Sequence, residues 1–149
     1  MDNFDLVVGT QDWHPQGNKP FSSSYENKRP FDTVEMFHGD QVLWPGHCIQ
    51  WSLGANFHPD LKDEKAEVII QKVLNPSVDS YPASFESDKV MPTGLHGDFK
   101  YREVTDLRLV GPATDFCVAF SALDAARLGY QVTVSLDMMR AIGADGSFR

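Results

Sequence analysis

The 149-residue chain has no excess of basic residues, since its 13 Lys and Arg face 21 Asp and Glu for a net charge of −8. Proteins that grip nucleic-acid backbones, and basic modules that lie on membranes, need such an excess. The chain also lacks a run of eighteen apolar residues, which a membrane-spanning helix would need. Its first residues lack the basic segment with which a secretory signal peptide begins. We therefore expect a cytoplasmic, globular protein with no nucleic-acid or membrane partner.

Cysteine is equally scarce, with only Cys48 and Cys117. Two cysteines do not form the dense disulfide framework of a small secreted domain. One disulfide stays possible on the count alone, although the different flanking residues favour one inert and one reactive thiol. The sequence shows no glycine-rich phosphate loop and no internal repeat, so nothing indicates a nucleotide site.

Four short apolar runs predict buried strands, at residues 6–8, 68–70, 107–110 and 132–134. Runs of this kind suit a parallel sheet that is covered on both faces. The last two runs flank a predicted helix at 115–128, which Thr114 or Asp115 could cap and after which Gly129 follows. Strand, helix and strand then form one βαβ unit, so we expect an α/β fold in one domain over residues 1–149.

Residues 15–64 contain five prolines and little periodicity, and a long irregular segment of this kind is expected to build a site. Asp12 and His14 follow the first predicted strand, and His47 lies within the irregular segment. One aspartate and two histidines are a common ligand set for Zn²⁺, Fe²⁺ or Mn²⁺. The alternative is that Asp12 caps a turn and that both histidines are ordinary loop residues.

Cys117 falls in the first turn of the predicted helix, where the helix dipole and unpaired N–H groups favour a thiolate. A buried, inert cysteine packed against the sheet is the alternative. Lys72 directly follows the second predicted strand, where its ammonium group could support a thiolate or an oxyanion. A solvated lysine at the end of a strand is the alternative there.

Together these segments resemble the nicotinamidase branch of the isochorismatase-like cysteine hydrolases. The resemblance covers most of the chain in order, and it is carried by Thr10-Gln11-Asp12-Trp13-His14-Pro15, Trp44-Pro45-Gly46-His47-Cys48, Gly54-Ala55, His58-Pro59, Lys72, Asp79-Ser80-Tyr81, Gly111-Pro112-Ala113-Thr114-Asp115-Phe116-Cys117-Val118, Leu123-Asp124-Ala125, Asp137 and Arg140-Ala141. It implies a three-layer α/β/α fold with a parallel sheet.

The resemblance also implies the catalytic groups. Cys117 would attack the amide carbon of nicotinamide to give a thioester and ammonia. The backbone N–H groups of Ala113 and Cys117 would form the oxyanion hole, next to a cis peptide bond between Pro112 and Ala113. Lys72 would be the cationic member of the catalytic triad.

The remaining implied roles concern metal and substrate. Asp12, His14 and His47 would hold a divalent ion, most commonly zinc with iron or manganese as alternatives, that binds the pyridine nitrogen and supplies water. Trp44 and Tyr81 would be aromatic walls against the ring. Cys48, which follows a metal ligand, would be structural.

The chain departs from the family pattern in two ways. The family commonly has a further metal-ligating histidine shortly after the Asp-x-His pair, but Asn18 stands at that position, with Glu26 as a possible substitute. We expect a weaker or altered metal site. We also expect the domain over residues 1–149 to be incomplete, because the central strand that ends in the triad aspartate in the family has no counterpart and the final strand is missing. We expect a chain that folds poorly, associates with copies of itself, and lacks normal amidase activity.

The predicted function is hydrolysis of the small molecule nicotinamide to nicotinate and ammonia in NAD salvage. One alternative is a related hydrolase of another small amide. The other is a catalytically impaired or non-catalytic relative that keeps the pocket without turnover.

Overall fold

A computed structural model describes residues 4–36, 39–77, 81–83 and 93–143. The chain divides into two compact units, Met1–Asp79 and Ser80–Arg149. Within the described ranges, no helix is long and apolar enough to cross a membrane. Asp79 and Ser80 of the family motif lie outside the described residues. The single domain over 1–149 stays a prediction.

The first unit contains a parallel strand pair, β1 (Val8–Asp12) and β4 (Val68–Lys72). Their register runs from Val8 opposite Val68 to Asp12 opposite Lys72. Both strands were predicted from their apolar runs, although β1 starts two residues later and continues through polar residues. Because the strands are parallel and in register, Asp12 and Lys72 are neighbours at the carboxyl ends, where α/β proteins place their ligand sites.

The segment 15–64 is not wholly irregular, because it contains an antiparallel pair formed by β2 (Thr33–Met36) and β3 (Gly39–Val42). The sequence did not predict this pair. Each strand has only four residues, and charged or amide side chains interrupt the apolar ones. The described remainder of the segment includes three short 3₁₀ turns, at Ser22–Ser24, Leu53–Ala55 and Asp63–Lys65.

Two isolated bridges order this segment, the first by joining it to the residues after β1 and the second within the segment itself. His14 pairs with Ile49, and Phe21 pairs with Trp44. At the second bridge the Trp44 N–H donates to the Pro20 carbonyl over 2.8 Å, and the Ser22 N–H donates to the Trp44 carbonyl over 2.9 Å. Phe21 and Trp44 are both buried there, so the bridge also anchors part of the apolar core of this unit.

The second unit contains the predicted βαβ arrangement. Strand β5 (Asp106–Pro112) pairs in parallel with β6 (Gln131–Arg140), and a π-helical turn (Thr114–Val118) followed by helix α2 (Ala119–Arg127) connects them. A further helix, α1 (Leu95–Tyr101), precedes β5 in the chain, and it was not predicted from the sequence. The predicted strands and the connecting helix are confirmed.

Helix α2 ends as predicted and begins differently. Gly129 has a φ of 94°, and its N–H donates to the Ala126 carbonyl while the Tyr130 N–H donates to the Ala125 carbonyl. This is the Schellman arrangement, in which glycine tolerates the left-handed conformation. At the start, however, no side chain caps the π-helical turn. The predicted cap by Thr114 or Asp115 is wrong.

The Asp115 carboxylate has another role. It accepts hydrogen bonds from the Ile142 N–H over 3.0 Å and the Gly143 N–H over 2.8 Å. Two donors of the turn are satisfied within it, because the N–H groups of Phe116 and Val118 both bond to the Ala113 carbonyl. Asp115 therefore ties the segment after β6 to the helix start.

Candidate functional site

The first unit brings together the three predicted metal ligands. Asp12 ends β1, His14 lies two residues further on, and His47 comes from the loop after β3. One potential ligand atom from each of the three lies within 4.8 Å of the other two. A carboxylate oxygen and two imidazole nitrogens at this separation can converge on one divalent ion.

The bridge at His14 explains why His47 reaches this position. The His14 N–H donates to the Cys48 carbonyl over 2.9 Å, and the Gln50 N–H donates to the His14 carbonyl over 2.9 Å. The loop that carries His47 is thus hydrogen-bonded to the chain directly after β1. His47 Nδ1 lies 2.8 Å from the Pro45 carbonyl, so Nδ1–H donates to it and Nε2 keeps the lone pair that a metal needs.

His14 is almost completely buried, with 1% of its surface exposed. Burial, the charge of His47 and that of Lys72 lower its pKa from 6.5 to about 4, while Asp12 alone acts in the opposite direction. His14 is therefore neutral at pH 7. Neutral imidazole is the form that binds metals, so the ring needs no deprotonation before it can act as a ligand.

The lowered pKa of His14 predicts an acid-sensitive stability of the metal-free protein. Between pH 6.5 and 4 the unfolded state binds more protons than the folded state, so the free energy of unfolding falls as the pH falls. From pH 7 to 5 we expect this residue to contribute a loss of about 2 kcal/mol. Urea unfolding at both pH values, compared with His14→Phe, isolates the contribution. An equal loss in the variant would contradict it.

Lys72 is buried, with 4% of its side chain exposed, and its ammonium group pairs with Oδ1 of Asp12. The alternative of a solvated lysine is therefore wrong. The pairing follows from the register that places Asp12 opposite Lys72. Asp12 is also one of the candidate metal ligands. Its carboxylate would therefore contact both the Lys72 ammonium group and a bound ion.

Asn18 and Glu26, the two residues considered as further metal ligands, differ in burial and in their contact with the site. Asn18 is fully buried, and its amide nitrogen lies 2.7 Å from Nδ1 of His14. Glu26 is exposed and does not belong to the group of candidate ligands found among the described residues. Of the two, only Asn18 contacts the site.

Sequence reasoning missed one residue of this site, Phe21. Its ring centroid lies 5.0 Å from that of His14 and 5.5 Å from that of His47, and only 2% of its surface is exposed. The only signal in the sequence was a large aromatic residue within a polar, proline-rich segment. Phe21 keeps water from one side of both histidines.

Trp44 is 5% exposed and lies edge-on to Phe31, with ring centroids 5.9 Å apart. Most of its surface therefore packs inside the first unit. Its role as an aromatic wall for a substrate stays a prediction.

The second unit holds the predicted nucleophile. Cys117 lies half-buried in the π-helical turn directly after β5, and neither cysteine is in a disulfide. Ala113 is buried at the start of this turn, and the Pro112–Ala113 peptide bond is cis. The cis bond, which the family resemblance implied, is confirmed. The thiol and the backbone of Ala113 therefore belong to one strand-to-helix turn, a kind of segment that can supply both a nucleophile and N–H donors.

Tyr81 packs against the same part of the second unit. Its ring centroid lies 5.5 Å from that of Phe116 and 5.4 Å from that of Phe120, with the latter pair stacked at 28°. Phe116 directly precedes Cys117, so Tyr81 lies beside the turn that carries the thiol. This location is compatible with an aromatic wall.

Comparison with known proteins gives consistent matches. Residues 21–148 match the family model described as the isochorismatase domain. A curated relative, the nicotinamidase of Acinetobacter baylyi, is 44% identical over 146 residues, which cover 98% of this chain and 68% of that protein. The chain thus spans about two thirds of this relative's length.

Two solved structures extend the comparison. A nicotinamidase/pyrazinamidase of Acinetobacter baumanii superimposes with a TM-score of 0.94 at 46% identity, over 97% of this chain and 70% of that one. A pyrazinamidase of Pyrococcus horikoshii in complex with zinc gives a TM-score of 0.70 at 30% identity, over 94% of this chain and 65% of that one. The predicted α/β fold is confirmed.

Proposed function

This chain belongs to the isochorismatase family and to its nicotinamidase-type amidohydrolases, and we propose that it serves to convert nicotinamide and water to nicotinate and ammonia. One observation carries the proposal: Asp12, His14 and His47 converge beside a buried lysine at the carboxyl ends of a parallel strand pair. The relative from Acinetobacter baylyi, 44% identical, is a nicotinamidase. We assign the activity to NAD salvage in the cytoplasm.

A divalent ion fits the residues of the first unit. The set offers one carboxylate and two imidazoles, His14 is neutral at pH 7, and the hydrogen bond of His47 to Pro45 leaves Nε2 available. Zinc suits this set best, and a pyrazinamidase relative has been solved with zinc. When bound, the ion would offer open positions to the pyridine nitrogen and to water.

Cys117 is the proposed nucleophile. Its thiolate would attack the amide carbon, and the carbon–nitrogen bond would then break, with the thiol proton leaving on ammonia. Water would next cleave the thioester, which returns the thiol and releases nicotinate. The backbone N–H groups of Ala113 and Cys117 are assigned to the oxyanion, because the turn after β5 carries both residues.

Lys72 is proposed as the cationic member of the triad, since its buried ammonium group pairs with the Asp12 carboxylate. Trp44 and Tyr81 are proposed as walls for the pyridine ring. The family motif also includes an aspartate that shuttles the proton, and none of the matching residues of this chain corresponds to it. We therefore assign the acid–base role to no described residue.

The test is ammonia release from nicotinamide, pyrazinamide and benzamide by protein that is stripped of metal and then reloaded with Zn²⁺. We expect release from the first two amides, loss on stripping and recovery on reloading. Benzamide lacks a ring nitrogen, so we expect it to react at least tenfold more slowly. Folded, zinc-loaded protein that releases ammonia from none of the three would contradict the function, and equal rates on benzamide would contradict recognition of the ring nitrogen.

A further inference from the structure

Asn18 is held rigidly next to a candidate metal ligand. Its backbone N–H donates to the Pro15 carbonyl over 3.2 Å, and its own carbonyl accepts from the Phe21 N–H over 3.0 Å and from Ser24 Oγ over 2.8 Å. Its side chain is fully buried, with Nδ2 2.7 Å from His14 Nδ1. These hydrogen bonds hold the backbone of Asn18 in place, so its amide group can change orientation most simply by rotating about the last side-chain bond.

The Asn18 amide leaves one polar atom unsatisfied. Oδ1 is buried and has no hydrogen-bond partner in the described structure. A buried acceptor in this state is destabilising, because it has lost its hydrogen bonds to water without replacing them. A rotation of 180° about the last side-chain bond would exchange the oxygen and the nitrogen, since the amide is planar and nearly symmetric in shape. The oxygen would then face His14 Nδ1.

The direction of this hydrogen bond decides which nitrogen of His14 can hold a metal. If Asn18 donates to Nδ1, the ring proton of neutral His14 lies on Nε2, and neither nitrogen offers a lone pair to an ion. If Asn18 accepts, the proton lies on Nδ1 and Nε2 is available. Metal-ligating histidines commonly donate their second N–H to an oxygen in this way.

We propose that Asn18 is a positioning residue of the metal site, whose amide oxygen accepts the His14 Nδ1–H and so reserves Nε2 for the ion. The inference rests on the proposed metal site of the first unit. Asn18 is thus not a fourth ligand, and the position that the family commonly fills with histidine acts here through His14. Metal binding and rotation of the amide are coupled, and metal binding removes the unsatisfied acceptor.

The test compares Asn18→Leu with Asn18→Asp in the full chain, with Zn²⁺ affinity measured by competition against a chromophoric chelator. Leucine keeps the branched shape and the number of side-chain heavy atoms but offers no acceptor, so we expect affinity to fall by about 10–100-fold. Aspartate offers only acceptors, so we expect affinity equal to or above that of the unaltered protein. Circular dichroism of the zinc-loaded proteins checks that each is folded.

A purely structural role for Asn18 predicts the opposite order, because leucine suits a buried position and aspartate does not. Aspartate binding Zn²⁺ tenfold more weakly than asparagine would overturn the inference, whether or not the leucine variant folds. Gln41→Leu is the matched control, since Gln41 is another buried amide in the same unit and lies outside the ligand group. We expect its zinc affinity to be unchanged.

Nitrogen NMR of the zinc-loaded protein provides a second readout, because long-range couplings to the ring protons distinguish the two nitrogens. We expect a proton on Nδ1 of His14 and the metal on Nε2. The reverse assignment would overturn the inference while leaving the metal site intact. Failure of the unaltered protein to bind Zn²⁺ at all would overturn the metal site, and the inference with it.

Discussion

Replacing Cys117 by alanine is expected to lower kcat/KM for nicotinamide by at least about a hundredfold, a smaller loss than in hydrolases with a complete triad, because no described residue supplies the acid–base step. Without the sulfur no thioester forms, and water would have to attack the amide directly. The half-buried position of Cys117 in a turn leaves the surrounding backbone able to accept alanine. Ammonia release under saturating Zn²⁺ measures the effect.

Cys48→Ala is the control for this experiment, since it removes the second thiol and keeps its backbone carbonyl. We expect it to retain ammonia release within about threefold of the unaltered protein. Mass spectrometry of quenched reactions should show a nicotinoyl adduct on the peptide that contains Cys117. Turnover that survives Cys117→Ala would remove this residue from the mechanism.

Lys72→Met is expected to lower the stability of the metal-free protein by about 2–3 kcal/mol and turnover by at least about tenfold. The substitution leaves the partly buried Asp12 carboxylate without the cation that faces it. A bound divalent ion would supply positive charge to the same carboxylate, so adding Zn²⁺ should shrink the stability difference to about 1 kcal/mol or less. Turnover should stay low, because the ion does not replace the cationic member of the triad.

Urea unfolding with a chelator and with saturating Zn²⁺, followed by ammonia assays, tests both parts of this expectation. Lys62→Met is the matched control, since Lys62 is exposed in the loop before β4. Its effect on unfolding should stay within about 0.5 kcal/mol in both conditions. A stability loss in Lys72→Met that zinc does not reduce would show that Asp12 does not bind the ion.

The sequence predicted the elements whose signals are local. The parallel strands β1, β4, β5 and β6 were predicted from short apolar runs, and the end of α2 was predicted from Gly129, which adopts the left-handed conformation. The β2–β3 pair escaped prediction because four-residue strands with interleaved polar side chains resemble loops. The predicted cap of α2 was wrong because the N–H groups of Phe116 and Val118 bond within the π-helical turn, while Asp115 binds a distant segment.

The site shows the same division. Asp12, His14 and His47 could be predicted as metal ligands from their residue types, and the structure brings them together. The ion pair between Lys72 and Asp12 could not be predicted, because it depends on the register of two strands that lie sixty residues apart in the sequence. Nor could the burial of Phe21 and Asn18, which depends on bridges between distant segments. The roles of Cys117, Ala113, Trp44 and Tyr81 stay predictions.

The bridge between Phe21 and Trp44 has a consequence for how this protein can vary. The Ser22 N–H donates to the Trp44 carbonyl, so the two ends of segment 22–44, which contains β2 and β3, are held together. All three candidate ligands lie outside it. Lengthening a loop costs only about 0.6 kcal/mol for each doubling. We therefore expect this segment to accept an inserted reporter peptide without movement of the ligands.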